Sequence, residues 1–241
     1  MSRRIFIVGT DTEIGKTTTS VALLRAATRS GRRYLPYKPA VSGDLGPTSD
    51  HARLVRAVPQ LGLSPESITA YRFQPPIAPG LAEANHSFYE PHARVTDPRT
   101  IARAVETLEA LEAKHAPDLS LIEGAGGLHV PMPGSTWLPS WIAALEATPL
   151  VVARAGLGTL NHTILTVESL RNLDLHPSGF ILNCRFEQSA DTVESNRKVL
   201  EARLRIPCLG VLPHAVEEAD GDRSDDWLRP DALARLEARA P

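Results

Sequence analysis

The sequence predicts an α/β fold in which helices flank both faces of a mostly parallel sheet. Three observations predict it. Apolar runs of strand length alternate with amphipathic stretches of helix length, the pattern of successive βα units. The strand runs are apolar almost throughout, as strands covered on both faces are. The first of them, Ile5-Phe6-Ile7-Val8, feeds Gly9-Thr10-Asp11-Thr12-Glu13-Ile14-Gly15-Lys16-Thr17, a loop that ends in Gly-Lys-Thr and opens a helix. At 241 residues the chain can form one such domain, 1–241, with a full core. No repeat or linker divides it, and 216–241 is expected to be peripheral.

The elements follow in order. Residues 5–8 read as a strand and 16–29 as a helix, with Val21, Leu24 and Ala27 at helical spacing. Tyr34 to Pro39 is extended, because Pro36 and Pro39 disfavour helix. Residues 50–57 form a short helix with Ser49 or Asp50 as its N-cap. The proline-rich stretch 71–80 reads as a loop. Ile101, Val105, Leu108 and Leu111 mark a helix over 98–114. Residues 119–122 are a short buried strand that ends at Glu123-Gly124-Ala125-Gly126-Gly127. Strands at 149–153, 178–184 and 208–212 alternate with helices at 160–172 and 190–204, Leu165 and Leu170 being assigned to an inner face. A last short helix covers 230–239.

Bulk properties narrow the function classes. With 26 basic and 28 acidic residues the net charge is −2, which gives no electrostatic reason to expect nucleic acid or an anionic membrane as partner. No run approaches the ~18 apolar residues of a membrane span. The chain passes from Met-Ser-Arg-Arg straight into a strand without a signal-peptide core, so a cytoplasmic protein is expected. Cys184 and Cys208, the only cysteines, sit in apolar strand-like runs and read as buried thiols.

The Gly-Lys-Thr loop has the form of a phosphate-binding loop, so the fold is P-loop NTPase-like. Its backbone N–H groups and the helix dipole converge on one spot. Lys16 can reach the β- and γ-phosphates of a nucleotide, and the Thr17 hydroxyl can ligate Mg²⁺. The loop departs from the common pattern in two places: the first glycine is Gly9 rather than residue 10, and Asp11 stands where switch ATPases of the partition and septum-site type carry an extra lysine. In parallel sheets ligands bind beyond the C-terminal strand ends, which directs attention to the residues there. Lys38, in Tyr37-Lys38-Pro39-Ala40-Val41-Ser42-Gly43, fits either a second phosphate-neutralising cation or an exposed turn lysine. Glu123, ending an apolar strand, fits a Mg²⁺ ligand, with glycines after it that let the backbone approach a ligand. Asp50 fits either a helix cap or a third hard-oxygen ligand beside Thr17 and Glu123. Gly156-Leu157-Gly158-Thr159-Leu160-Asn161-His162 fits either an anion-binding βα loop or an ordinary tight connection.

Taken together, these residues resemble the dethiobiotin synthetase family. The resemblance runs through Gly9–Thr17 with its Thr10 and Asp11, Tyr37-Lys38-Pro39, Ser42-Gly43, Ser49-Asp50, Glu123–Gly127, Gly156–Gly158, Asn161-His162 and Asn183, about residues 5–215. It implies ATP-dependent closure of 7,8-diaminononanoate and CO₂ to a cyclic urea, through a carbamate and a carbamic–phosphoric mixed anhydride. It implies catalytic roles for Lys16, Lys38, Thr12 and Ser42. ATP would be held by Glu13, Ile14, Gly15, Lys16, Thr17, Thr18, Asp50, Glu123, Gly124, Ala125, Gly126, Asn183 and Pro213. Asn183 would read the adenine, with the loop at Pro213 beside it. Mg²⁺ would be held by Thr17, Asp50 and Glu123. Thr12, Lys38 and Ser42 would contact the diamine, while Gly158 and Asn161 would grip its carboxylate from the partner subunit of a homodimer. Gly80 stands where the family commonly has histidine, His214 and Ala215 replace the usual bulky pair after Pro213, and 128–142, with Trp137 and Trp141, matches poorly. Two rivals fit less well. A cobyrinate-amidation synthetase needs a glutaminase domain with a catalytic cysteine, and a partition-type switch needs the lysine that Asp11 replaces.

Overall fold

A computed structural model describes residues 3–83, 98–214 and 225–238. The chain begins with β1 (Arg3–Gly9), α1 (Lys16–Arg29), β2 (Tyr34–Tyr37), β3 (Ala40–Ser42), α2 (Asp50–Arg56), β4 (Tyr71–Phe73) and α3 (Pro79–Glu83). Then come α4 (Pro98–His115), β5 (Leu119–Gly127), β6 (Pro131–Met132), β7 (Thr136–Trp137), α5 (Leu138–Ala144) and β8 (Thr148–Arg154). The chain continues through α6 (Thr159–Asn172), β9 (Gly179–Asn183), α7 (Ala190–Leu204), β10 (Cys208–Leu212) and α8 (Ala232–Glu237).

Six strands form one sheet in the order β10-β9-β8-β1-β5-β2, and every neighbouring pair is parallel. Successive residues of a strand point to opposite faces, yet Ile5, Phe6, Ile7 and Val8 are all fully buried. The sheet is therefore covered on both sides, as the uninterrupted apolar runs predict. Helix α6 packs on β8 and α7, while α1 packs on β1, β2, β5 and α2. β1 lies between β5 and β8, and the chain leaves it in one direction for β2 and later returns to fill the other side. The loop after β1 thus opens at the point where the strand order reverses, where such sheets form a crevice.

Arg4 is the buried charged residue of β1. Its guanidinium donates to both Glu112 oxygens at 3.0 and 2.7 Å and to the Leu145 carbonyl at 3.1 Å, while Ser120 Oγ donates to Glu112 at 2.7 Å. This network ties β1, β5, α4 and the end of α5 together at the edge opposite the crevice.

Three expectations are corrected. Leu165 does not face inward: it is 58% exposed, while Val167 and Leu170 carry the buried stripe of α6. The stretch 71–80 is not all loop, because Tyr71–Phe73 pairs in parallel with β3 and Pro79 begins α3. The strand at 119 does not stop before Glu123. It runs to Gly127, with a register shift in which β5 advances from Glu123 to Gly127 while β1 advances from Ile7 to Gly9. That bulge swings the glycine-rich end of β5 beside the loop after β1.

Gly80 has its own explanation. A Cβ there would lie 2.7 Å from the Met132 carbonyl oxygen and 2.8 Å from Pro131 C, so α3 sits directly on the β6 backbone. Trp141 is buried and donates through Nε1 to Thr136 Oγ1 at 2.7 Å, which makes it a packing residue. Both cysteines are free and buried. Leu228, Ala232, Leu233 and Leu236 join the core; residues 215–224 and 239–241 lie outside the described residues, Ala215 and the acidic start of the last segment among them. Among the described residues no helix is long and apolar enough to cross a membrane.

Candidate active site

The phosphate loop runs from Thr10 to Gly15. Its displaced glycine is explained by packing: a Cβ on Gly9 would stand 2.7 Å from the Asp11 carbonyl oxygen and 3.0 Å from Lys16 Nζ. The lysine curls back over the loop and donates to that carbonyl at 3.2 Å. Glu13 and Gly15 take left-handed φ values of +56° and +88°. No side chain caps α1, so the first N–H groups of that helix remain free to take an anion.

Burial, and next to it the nearby Lys38 charge, lowers the Lys16 ammonium to a pKa of about 8. A lowered lysine pKa means the folded, nucleotide-free protein binds fewer protons than the unfolded chain between that value and the ordinary one. It follows that this lysine's burial disfavours the empty state below pH 8, and the cost fades as pH rises through it. Phosphate oxygens would raise the pKa again. ATP binding at pH 8.5 is therefore expected to take up protons, and affinity to fall as pH rises above 8. Calorimetry in buffers of different ionisation enthalpy measures that uptake directly, and a buffer-independent heat would contradict it.

The second half of the site is a buried ion cluster. Glu123, 1% exposed, receives on one oxygen, Oε1, both the Thr17 hydroxyl and the Lys38 ammonium, each at 2.7 Å. Lys38 is 3% exposed and also reaches Asp50 Oδ2 at 3.1 Å. Burial alone would lower its pKa, but Glu123 and Asp50 outweigh burial and leave it above the ordinary value, so it stays charged. Asp50 is likewise pushed up by burial but held below its ordinary pKa by Lys38 and the Thr17 hydroxyl. Of the two readings of Lys38, the exposed turn residue does not survive. Nor does Asp50 act as the cap of α2: Ser49 Oγ accepts from Ala52 N at 3.4 Å, and the Asp50 carboxylate turns to Lys38.

Glu123 Oε2 is buried and has no hydrogen-bond partner among the described residues. A buried carboxylate oxygen without a partner is costly, and a hard cation beside it removes that cost. With Thr17 and Asp50 adjacent, the donor set suits Mg²⁺, which takes few protein oxygens and fills its shell with phosphate and water.

The remaining residues surround this centre. Gly124 must be glycine because a Cβ would come 2.8 Å from the Phe6 ring, and Gly126 sits at φ +57° where a Cβ would meet Val130 at 2.5 Å. Ala125 lies between them in β5. Ser42 ends β3, beside Gly43 at φ +89°. Thr12 is exposed at the loop's tip, its N–H bonded to Asp11 Oδ1 at 2.7 Å, and Thr18 Oγ1 accepts from Arg53 at 3.3 Å. Asn183, at the end of β9, donates from Nδ2 to the Ile14 carbonyl at 2.8 Å, and exposed Pro213 follows β10. Gly158 opens α6 at φ +87° with Asn161 exposed in its first turn. These two stand at the β8 side of β1, whereas the Lys38 cluster stands at the β5 side.

Two arginines escaped the sequence reading. Arg154 ends β8 and pairs with Asp11 Oδ2 at 3.4 Å. The carboxylate that replaces the switch-type lysine is thus tied to the neighbouring strand. Its signal was available, a charge ending an apolar strand, as at Glu123. Arg185, just past β9, donates through Nη1 to the Glu13 carbonyl; nothing in the sequence marks it.

A family model described as an AAA domain matches residues 3–218. Among relatives, the chain is 44% identical over 183 residues to the ATP-dependent dethiobiotin synthetase BioD of Anaeromyxobacter sp. (strain K), covering 75% of this chain and 76% of that protein. It is 38% identical to the enzyme of that name from Pseudomonas aeruginosa, with coverage of 89% and 90%, and 34% identical to that of Bacillus subtilis, with coverage of 88% and 87%. Solved structures share the fold at low identity. Chloroplast FtsY from Physcomitrella patens has a TM-score of 0.54 at 18% identity, covering 98% of this chain and 64% of the FtsY chain. The MinC:MinD complex of Aquifex aeolicus gives 0.52 at 15%, covering 98% and 86%. The nucleotide loop, the buried Lys38–Glu123–Thr17 cluster and these near-full-length relatives lead to one assignment: the chain belongs to the ATP-dependent dethiobiotin synthetase family.

Proposed function

We propose that this chain closes 7,8-diaminononanoate and CO₂ to dethiobiotin at the expense of ATP, releasing ADP and phosphate. One amine of the diamine attacks CO₂ and loses a proton, giving a carbamate. A carbamate oxygen attacks the γ-phosphorus and ADP leaves, giving the mixed anhydride. The second amine then attacks the carbamate carbon, phosphate leaves, and the five-membered urea closes. The observation that carries this reading is Lys38, a second buried lysine that shares Glu123 with the phosphate-loop threonine. Plain nucleotide binding does not call for it. A reaction that brings a carbamate anion against a triphosphate does, because charge builds on both.

Lys16 and Lys38 would stabilise the transferring phosphoryl group, with Lys38 also facing the carbamate. Thr12 and Ser42 would hold the reacting end of the diamine. Thr17, Asp50 and Glu123 would hold Mg²⁺, which supplies charge neutralisation at the phosphates. The Nδ2 of Asn183 is engaged by Ile14, so its Oδ1 is the atom for an adenine amino group. A homodimer is supported by apolar surface beside Gly158 and Asn161: Leu157 is 96% exposed, and the exposed Leu165 lies one helical turn beyond Asn161 on α6. Gly158 and Asn161 would then serve the carboxylate of a substrate bound across the interface. A cytoplasmic enzyme fits these small polar substrates.

The decisive assay supplies labelled CO₂, MgATP and the diamine and looks for a labelled cyclic urea, with ADP formed in equal amount. ATP turnover that needs neither diamine nor CO₂ would instead support the switch-ATPase reading.

A further inference from the structure

We propose that Arg185 is a positioning residue for the phosphate loop, fixing the direction in which the loop's tip presents its N–H groups. Glu13 is not a glycine, yet it holds φ +56°, a conformation that side chains disfavour. Its carbonyl accepts from Arg185 Nη1, and its carboxylate Oε2 lies 3.4 Å from the same nitrogen. The next carbonyl, that of Ile14, accepts from Asn183 Nδ2 at 2.8 Å. Residue 15 follows at φ +88°, and a Cβ there would fall 1.9 Å from that same Nδ2. Two successive carbonyls of the loop are therefore drawn toward the end of β9.

In a trans peptide the C=O and the N–H point in opposite directions, and the described chain has no cis peptide. Holding the Glu13 carbonyl toward Arg185 turns the Ile14 N–H the other way, into the hollow of the loop. Holding the Ile14 carbonyl toward Asn183 does the same for the Gly15 N–H. The guanidinium brings a charge-assisted bond to a peptide that the left-handed Glu13 would otherwise leave free to turn. Because Arg185 is 45% exposed, solvent weakens this bond, so a moderate effect is expected. Arg185 acts through the loop backbone and not on the reacting atoms.

This inference rests on the nucleotide site proposed above, and ADP binding by the unaltered protein tests that site separately. In Arg185→Ala, affinity for ADP is expected to fall roughly tenfold, the size of one charge-assisted hydrogen bond after screening. Affinity for adenosine, measured by competition, should not change. In the nucleotide-free variant, amide exchange of the peptide spanning residues 10–16 should become faster, and kcat at saturating ATP should stay within about threefold, as for a group remote from the phosphoryl transfer. Arg185→Lys, with a donor on a long stem, should recover most of the affinity. Equal losses for ADP and adenosine would assign Arg185 to the base and overturn the proposal. Weaker ADP binding with unchanged exchange would assign it to the phosphates themselves, and unchanged ADP binding would remove any role; each of these also overturns it.

Discussion

Lys38→Met is expected to lower kcat by about a thousandfold, in the range seen when a buried group that stabilises transition-state charge is removed, while ATP affinity changes only severalfold. The split follows from what Lys38 touches. It faces Glu123 and Asp50 beside the Thr17 hydroxyl, whereas ground-state phosphate binding would already be served by Lys16 and the uncapped start of α1. A second consequence is independent of catalysis. Glu123 is 1% exposed and would keep only the Thr17 hydroxyl, so a buried charge loses its counter-ion. Such losses cost about 3–5 kcal/mol. The nucleotide-free variant should melt several degrees lower, and MgATP should restore much of the difference because the cation replaces the missing positive charge. Near-normal turnover, or a kcat loss matched by an equal loss of ATP affinity, would refute the assignment of Lys38.

Glu123→Gln should show the complementary behaviour. Glutamine keeps the shape but carries no charge, and one face of its amide is a donor. Either Thr17 and Lys38 both lose their acceptor, since both donate to Oε1, or the amide nitrogen points where Oε2 stands without a partner among the described residues. In each case a cation there meets a poorer ligand. The Mg²⁺ concentration for half-maximal activity is expected to rise more than tenfold, with kcat down about a hundredfold. Melting of the empty protein should drop less than in Lys38→Met, since Lys38 retains Asp50, whereas Lys38 is the one ion-pair partner of Glu123 among the described residues. An unchanged Mg²⁺ dependence would show that Glu123 is structural.

The grouping of the candidate site was legible because it lies where strands end. The apolar run 5–8, the Gly-Lys-Thr loop and an acid closing the run 119–122 are all local signals, and the parallel-sheet rule joins them without coordinates. Lys38 and Asp50 were ambiguous for a physical reason. Whether a lysine near a proline turn is buried, and which of Ser49 and Asp50 caps α2, depends on what lies across the sheet, and that partner is Glu123, far along the chain. Leu165 misled because helical spacing identifies a stripe of α6 but not which of two adjacent stripes meets β8. β4 was hidden because a strand of only three residues, followed closely by Pro75 and Pro76, leaves no periodicity to detect. Arg185 gave no signal, since a backbone carbonyl as partner leaves no mark in side-chain pattern.

The place of β1 has a further consequence, for how the chain comes to exist. It is made before the other described strands, yet it pairs through Arg3 with Leu119 and through Ile5 with Thr148. During synthesis its two edges must wait until Leu119 and Thr148 have emerged. Such distant pairing slows folding and leaves an exposed strand open to wrong partners meanwhile. The bonds that hold the Glu13 and Ile14 carbonyls are not available to the loop until β9 has arrived with Asn183 and, behind it, Arg185. Nucleotide can therefore give the nascent chain little early help, since its capture waits for five of the six strands of the sheet, with β10 still to follow.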